Sequence, residues 1–199
     1  MSISYPRSLL THTGFASIEL RAMNAVAISQ SPFTFSTQVH AYQGQMWQAD
    51  VKLPPMPRED AEKWVAWLVS LRGQYGTFLL GDPLGTAPRG TATSCTVTGV
   101  SGDNTVSATV PSGETLLAGD YIQLGSAADA TLHKVLVDYT GTGAAADLEI
   151  WPALRTTRTA ASATLTNAQG VFRLATNEQA WSINNTSFYG ITFGAVEAI

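Results

Sequence analysis

The sequence contains little charge. Asp, Glu, Lys and Arg together make up 13% of its 199 residues, about half of the roughly 25% found in an average domain. The net charge is −4 and the isoelectric point is near 5.2. Both values argue against a dedicated nucleic-acid-binding protein, because such proteins usually carry a basic patch. Hydrophobic residues make up 45%, which excludes an intrinsically disordered chain.

Residues that bind metals or form disulfides are also scarce. The single cysteine, Cys95, excludes a disulfide framework and any multi-cysteine zinc site, and its alternating surroundings are typical of a strand. The three histidines, His12, His40 and His133, lie in separate segments without the spacing of metal ligands. We therefore interpret all four residues as structural and predict no metal and no cofactor.

Long apolar runs are missing as well. The longest stretches, at 65–69 and 77–80, are far shorter than the ~18 residues that a membrane span needs. The chain does not start with a basic segment followed by an apolar run, so we expect no signal peptide. These features predict no membrane span, and synthesis and assembly in a cytoplasm.

Threonine, serine and glycine take the place of the missing charge, with 24, 16 and 17 residues, and this composition favours strands. There is one clear helical pattern. Glu59 and Asp60 lie where the helix dipole favours acidic residues, and Gly73 supplies a left-handed stop. Between them runs an apolar stripe with helical spacing, formed by Ala61, Trp64, Val65, Leu68 and Leu71. We predict a helix over about 58–72, with Trp67 either widening its buried face or facing a second surface.

Alternation of apolar and polar residues predicts strands on both sides of this helix. Before it, strands are expected near 15–21, 33–42 and 46–53, with residues 43–45 as the turn of a hairpin. Near the end of the chain, residues 188–199 read as a final strand that places Tyr189, Ile191 and Phe193 on one face.

The composition changes in the middle of the chain. Residues 90–168 are poor in aromatics and consist of short alternating runs separated by turn signals, a pattern typical of a small all-β barrel or sandwich. Aromatic residues return after this region. We therefore predict a discontinuous β-rich core domain of residues 1–86 and 169–199, with an all-β domain of residues 87–168 inserted into it.

Acidic residues and glycines do not form a recognisable catalytic motif. Residues 59, 60 and 62 are better explained as the start of a helix, and Asp82 before Pro83 as a turn former. No phosphate-binding glycine loop and no Gly-x-Ser-x-Gly motif occurs. We predict no catalytic, cofactor-binding or metal-binding residue, and a protein that is not an enzyme.

Two groups of residues leave a binding role open. Arg155 and Arg158 form a small basic cluster, which we interpret as a solvated loop. Trp47, Trp151 and Trp181 could stack on sugars, although core packing is the commoner role of a tryptophan in a strand.

A longer pattern resembles a known family. Residues 47–83 contain a strand with Trp47, then prolines, then a helix of the form Ala-x-x-Trp. Gly-x-Tyr-Gly-x-Phe-Leu-Leu-Gly-Asp-Pro follows. The endings Gly-Val-Phe-Arg-Leu at 170–174 and Tyr-Gly-Ile-Thr-Phe-Gly-Ala-Val-Glu-Ala at 189–198 belong to the same pattern. Together they resemble the tail-tip, or distal tail, proteins of long-tailed (siphovirus-type) bacteriophages.

The resemblance implies a structural virion protein. It implies a mainly β fold, with a β-sandwich-like, ring-forming domain that carries one helix, plus a peripheral β-domain. The expected partners are copies of the same chain in a ring, a hexamer in this family, together with tube, baseplate hub and fibre proteins. Two alternatives remain open, a monomeric carbohydrate-binding module and a small cell-wall hydrolase.

The start of the chain adds one expectation about assembly. Residues 1–12 contain apolar side chains without clear partners in the sequence pattern. We predict that this segment lies against a neighbouring subunit.

Overall fold

A computed structural model describes residues 3–11, 13–184 and 187–199. Strands account for 47% of the chain and helical turns for 10%, with one α-helix. The prediction of a mainly β protein with one helix is therefore confirmed. Within the described ranges, no helix is both long enough and apolar enough to cross a membrane.

The secondary structure is dominated by antiparallel strands, and the helix α1 spans Arg58–Ser70. In chain order the strands are β1 (Ser17–Gln30), β2 (Thr37–Lys52), β3 (Met56–Pro57), β4 (Thr77–Leu80), β5 (Cys95–Gly99), β6 (Thr105–Thr109), β7 (Thr115–Leu116), β8 (Tyr121–Leu124), β9 (Thr131–Val135), β10 (Tyr139–Thr140), β11 (Ala145–Trp151), β12 (Arg158–Thr164), β13 (Gly170–Leu174), β14 (Trp181–Ile183) and β15 (Phe188–Glu197).

Strands from both ends of the chain form one sheet with the order β1-β2-β15-β13-β4, and β3 and β14 flank the start of β15. β15 lies at its centre. Its alternation places Tyr189, Ile191 and Phe193 on the buried face, as the sequence predicts.

Helix α1 covers that buried face. All five residues of the predicted apolar stripe are buried, and Trp67 is buried as well, so it widens the packed face. The ring centroids of Trp64 and Trp67 lie 5.6 Å apart, and those of Trp67 and Phe78 of β4 lie 5.1 Å apart. The helix ends where Arg72 and Gly73 both adopt left-handed backbone angles (φ 54° and 68°).

The middle of the chain forms a closed six-stranded barrel with the order β11-β6-β5-β12-β8-β9. Its interior is filled by small and branched side chains, including Val97, Ala108, Ile122 and Leu148. Closure leaves the barrel without a free strand edge. The predicted domain boundaries fall in the connections between β4 and β5 and between β12 and β13.

The predicted hairpin turn at 43–45 was wrong. These residues lie inside β2, which continues without a break from Thr37 to Lys52, and the chain reverses at residues 31–36 instead. Gly44 lies opposite a register shift between Asn24 and Val26. A Cβ on Gly44 would come within 2.9 Å of the Ala25 Cβ. The glycine therefore makes room for a β-bulge and does not form a turn.

The described part of residues 1–12 packs on its own chain, so several of its apolar side chains have partners that the sequence pattern did not show. Contact of this segment with a neighbouring subunit stays a prediction. The Tyr5 hydroxyl donates to the Ser70 carbonyl (2.6 Å), and the Trp67 indole donates to the Ser8 carbonyl (2.9 Å). Leu9 and Leu10 are partly buried and pack against the core. Residues 1, 2 and 12 lie outside the described residues.

Candidate assembly surface

The two described histidines that were considered as metal ligands, His40 and His133, lie in different elements. His40 is exposed on β2 and His133 is buried in β9, whereas His12 lies outside the described residues. Over the described ranges, no group of three or more His, Cys, Asp or Glu side chains is arranged to hold a metal ion.

His133 has a structural environment. Its Nδ1 lies 2.7 Å from the Pro152 carbonyl, to which it donates, and its Nε2 lies 2.9 Å from the Thr131 hydroxyl, from which it accepts. Burial, together with the positive charges of Arg155 and Arg158, lowers the pKa of His133 to about 4. The imidazole is therefore neutral at neutral pH, and both ring nitrogens are occupied.

Arg155 and Arg158 do not form the predicted solvated loop. Only 14% of the Arg155 side chain and 13% of the Arg158 side chain are exposed. Arg155 pairs with Glu197, the last residue of β15, and Arg158 pairs with Asp129. The interpretation was wrong because the partners lie far away in the sequence.

Two of the three candidate sugar-stacking tryptophans are packed at the junction between the barrel and the sheet. Trp47 is buried, and its indole donates to the Leu132 carbonyl (2.9 Å). Trp151 meets it edge to face at 4.5 Å. Trp181 is 40% exposed on β14.

The remaining residues behave as expected. Asp82 forms the predicted turn, because its Oδ1 accepts from the Leu84 backbone N–H (2.9 Å). Glu59 and Asp60 lie in the first turn of α1. Cys95 is buried in β5, and burial raises its pKa to about 11.

The most distinctive surface is the far part of the β1–β2 hairpin, residues 23–44, which we call the arm. Apart from Ser31, every arm residue is exposed. Large apolar side chains occur along its whole length, namely Met23, Val26, Ile28, Phe33, Phe35, Val39 and Tyr42. Between Arg21 and Asp50 the chain contains no Asp, Glu, Lys or Arg.

The two faces of the arm differ in chemistry. Val26 pairs with Ala41 and Ile28 pairs with Val39, so these four apolar residues share one face. The alternate pairs, Ala27 with His40 and Ser29 with Gln38, form the other. Such alternation is typical of a strand pair with one face packed in a core, yet Ile28 is 69% exposed.

Both edges of the arm are free. β1 is the outermost strand of its sheet, with β2 as its only described neighbour. β15 pairs with β2 only from Gln48 to Lys52, so in the described structure the outer edge of β2 has no strand partner along the arm. Unpaired strand edges readily pair with another chain.

The base of the arm is fixed to the barrel. Asn24 accepts from the Trp151 indole (2.8 Å), and the Gln45 side chain accepts from the Ala153 backbone (2.7 Å). The Gln45 carbonyl also accepts from Arg155 (2.6 Å). These bonds anchor the arm where it leaves the body of the molecule.

Sequence reasoning did not identify the arm, although a signal was present. The uncharged stretch between Arg21 and Asp50 is unusually long for a surface hairpin, because natural edge strands are commonly protected by charged side chains.

A scan of the sequence against protein-family models finds no match, and a search of curated proteins finds none either.

Proposed function

We propose that this protein is a structural component of a bacteriophage tail tip that assembles with copies of itself into a ring. The observation that carries the proposal is the arm: an exposed, uncharged hairpin with an uncovered apolar face and two free edges. The motif at residues 47–83 and the ending of the chain support the phage context, since they resemble distal tail proteins.

The absence of charge suits a contact between neighbouring arms. A charged side chain enclosed between two arms would be desolvated without a partner. The arm has no Asp, Glu, Lys or Arg, so neighbouring arms can approach without this cost. Depletion of charge is also typical of the cores of protein interfaces.

The edges favour a head-to-tail arrangement. The free edge on one side of the arm belongs to β1, and the free edge on the other side belongs to β2. Contact between two different surfaces of one chain closes into a ring when the rotation allows it.

The apolar area makes up much of such an interface. Without the two phenylalanines at its tip, the arm's large apolar side chains present on the order of 500 Å², taking roughly 200 Å² for a fully exposed side chain. A stable interface buries about 800 Å² on each partner. Pairing along an edge adds backbone surface to the side-chain area.

Mass determination under native conditions and electron microscopy of the purified full chain test the proposal. We expect a closed oligomer near six copies, and a monomer when residues 26–41 are replaced by an Asn-Gly turn, which suits a short hairpin. A cooperative unfolding transition in urea would show that the shortened variant folds.

Two results would contradict the proposal. The first is a strictly monomeric full chain at high concentration. The second is a monomer whose tryptophan fluorescence is quenched by glycans, which would favour the carbohydrate-binding alternative.

A further inference from the structure

The tip of the arm presents two phenyl rings to solvent. Residues 31–36, Ser-Pro-Phe-Thr-Phe-Ser, connect β1 to β2. Phe33 is 91% exposed and Phe35 is 73% exposed. No other exposed aromatic residues in the described structure lie so close together in sequence. The tip is therefore a convex apolar point at the end of an uncharged hairpin.

The loop satisfies its own backbone donors. The N–H groups of Phe33 and Thr34 donate to the Ser31 hydroxyl, and that of Phe35 donates to the Ser31 carbonyl (2.9 Å). The Ser31 N–H donates to the Ser36 carbonyl, and the Ser36 N–H donates to the Thr34 hydroxyl. Because Pro32 has no N–H, every backbone donor from residue 31 to residue 36 has a partner inside the loop.

This arrangement holds Phe35 in an unusual conformation. Its φ is 56°, in the left-handed region that bulky residues rarely adopt. The Phe35 carbonyl accepts from the Gln30 side chain (3.2 Å), so bonds on both sides fix the residue. The loop thus holds Phe35 in a strained backbone conformation in which its ring is exposed.

We propose that the tip inserts shallowly into the surface of an electrically neutral lipid bilayer. A lipid environment offers few hydrogen-bond partners to backbone groups, so insertion costs least for a segment whose N–H groups are already bonded internally. Shallow insertion leaves the remaining carbonyls of the loop within reach of water at the bilayer surface. A protein partner could bond free N–H groups itself and would not require a closed set of donors. The loop with its satisfied donors and two outward aromatic rings therefore suits a bilayer better than a protein pocket.

Charge decides which kind of bilayer the tip suits. Along the hairpin the nearest charged residues are Arg21 and Asp50. At 3.3 Å per strand residue they lie about 30 Å and about 43 Å from the ends of β1 and β2 at the tip loop. The chain as a whole carries −4 and would be repelled by an anionic surface. Binding is therefore expected to depend on burial of the two rings and to be insensitive to salt.

The strength of this binding rests on the proposed function. Full burial of a phenylalanine side chain strengthens binding roughly tenfold or more, so two rings on one copy bind weakly. In a ring of parallel arms all tips lie at one end, and their contributions multiply.

Sedimentation with phosphatidylcholine vesicles at millimolar lipid tests the proposal with the full chain. We expect binding that is unchanged between low and high salt, and a loss of roughly tenfold per ring in Phe33→Ser and Phe35→Ser. Leu84→Ser is the matched control, because Leu84 is also 91% exposed but lies outside the arm. It is expected to bind as the unaltered chain does.

A second measurement follows the tip directly. In Phe33→Trp, we expect vesicles to shift the added tryptophan emission to the blue and brominated lipid to quench it, whereas Leu84→Trp should show neither change. Absence of both signals at saturating lipid would overturn the proposal, and so would equal vesicle binding by the double Phe33→Ser, Phe35→Ser variant.

The mass of the same variants separates this inference from the proposed function. If the full chain is an oligomer but does not bind vesicles, the proposed function stands and the lipid site is refuted. If the full chain is a monomer and vesicles shift the emission of Phe33→Trp, the lipid site stands and the proposed function is refuted. If the double serine variant loses the oligomer and the unaltered chain does not bind vesicles, the tip is a contact between copies and the proposal is wrong.

Discussion

The side chains of Arg155 and Glu197 form a bidentate ion pair at the junction between the barrel and the sheet. The Arg155 Nε lies 3.0 Å from Glu197 Oε1, and its Nη2 lies 2.7 Å from Oε2. The same carboxylate accepts from the Trp47 backbone (3.0 Å). Only 5% of the Glu197 side chain is exposed, so the pair joins the last strand to the inserted barrel and to the base of the arm.

Replacing one member of this pair should destabilise the protein strongly. Arg155→Met leaves a buried carboxylate without its counter-charge, and breaking such a pair costs about 3–5 kcal/mol. Urea denaturation measures the change in the free energy of unfolding.

Lys63→Met is the control for this prediction. Lys63 pairs with Asp60 on the exposed face of α1, and exposed pairs contribute about 0–1 kcal/mol. Similar losses in the two variants would contradict the assigned role of Arg155.

Acidification should destabilise the protein through His133. The pKa of this residue is about 4 in the folded protein and about 6.5 in the unfolded chain. The unfolded state therefore binds the proton first as the pH falls. The contribution of His133 to the free energy of unfolding is fully present above pH 6.5 and declines as the pH falls from 6.5 to about 4. Below that window no more is lost through this residue. The total loss is about 3 kcal/mol.

Comparison with His133→Asn isolates this effect from the titration of carboxylates. The asparagine amide can still donate to the Pro152 carbonyl but does not titrate. We expect the unfolding free energy of the variant to fall less steeply between pH 7 and 4. Parallel pH profiles for the two proteins would show that His133 does not cause the acid sensitivity.

The regular elements were predictable because their signals are local. The stripe on α1 recurs at helical spacing, and the alternation in β15 assigns Ile191 and Phe193 to the core. The ion pair of Arg155 with Glu197 had no such signal, since the two residues are 42 positions apart and meet only after the sheet and barrel form.

The arm shows a second limit. Alternation predicted a strand but could not reveal whether another layer covers its apolar face. The same ambiguity affected Gly44, because glycine occurs in turns and in bulges and the sequence does not distinguish them. The position of the true turn at residues 31–36 depends on the pairing of β1 with β2.

The thiol of Cys95 should be protected in the folded protein. Burial raises its pKa from 9.0 to about 11, so its thiolate fraction at pH 8 falls about a hundredfold, and the thiolate is the reactive form. We expect iodoacetamide to modify Cys95 at least that much more slowly in the native protein than in urea.

An exposed thiol on the same strand provides the reference. Thr96 is exposed beside Cys95 in β5, so Thr96→Cys should react at the rate of a free cysteine while Cys95 stays protected. Mass spectrometry of the digested protein distinguishes the two sites. Equal modification of both would indicate that β5 opens frequently.

A charge in the middle of the arm should weaken assembly without unfolding the subunit. Ile28 is 69% exposed, so Ile28→Lys should change the free energy of unfolding by less than about 0.5 kcal/mol. In the proposed ring, however, every copy would bring the new lysine into an apolar interface, where it would be desolvated without a partner. Native mass spectrometry should show smaller species for Ile28→Lys, whereas Leu84→Lys, at a position outside the arm that is 91% exposed, should assemble as the unaltered chain does. An intact oligomer in Ile28→Lys would place the contact between copies elsewhere on the molecule.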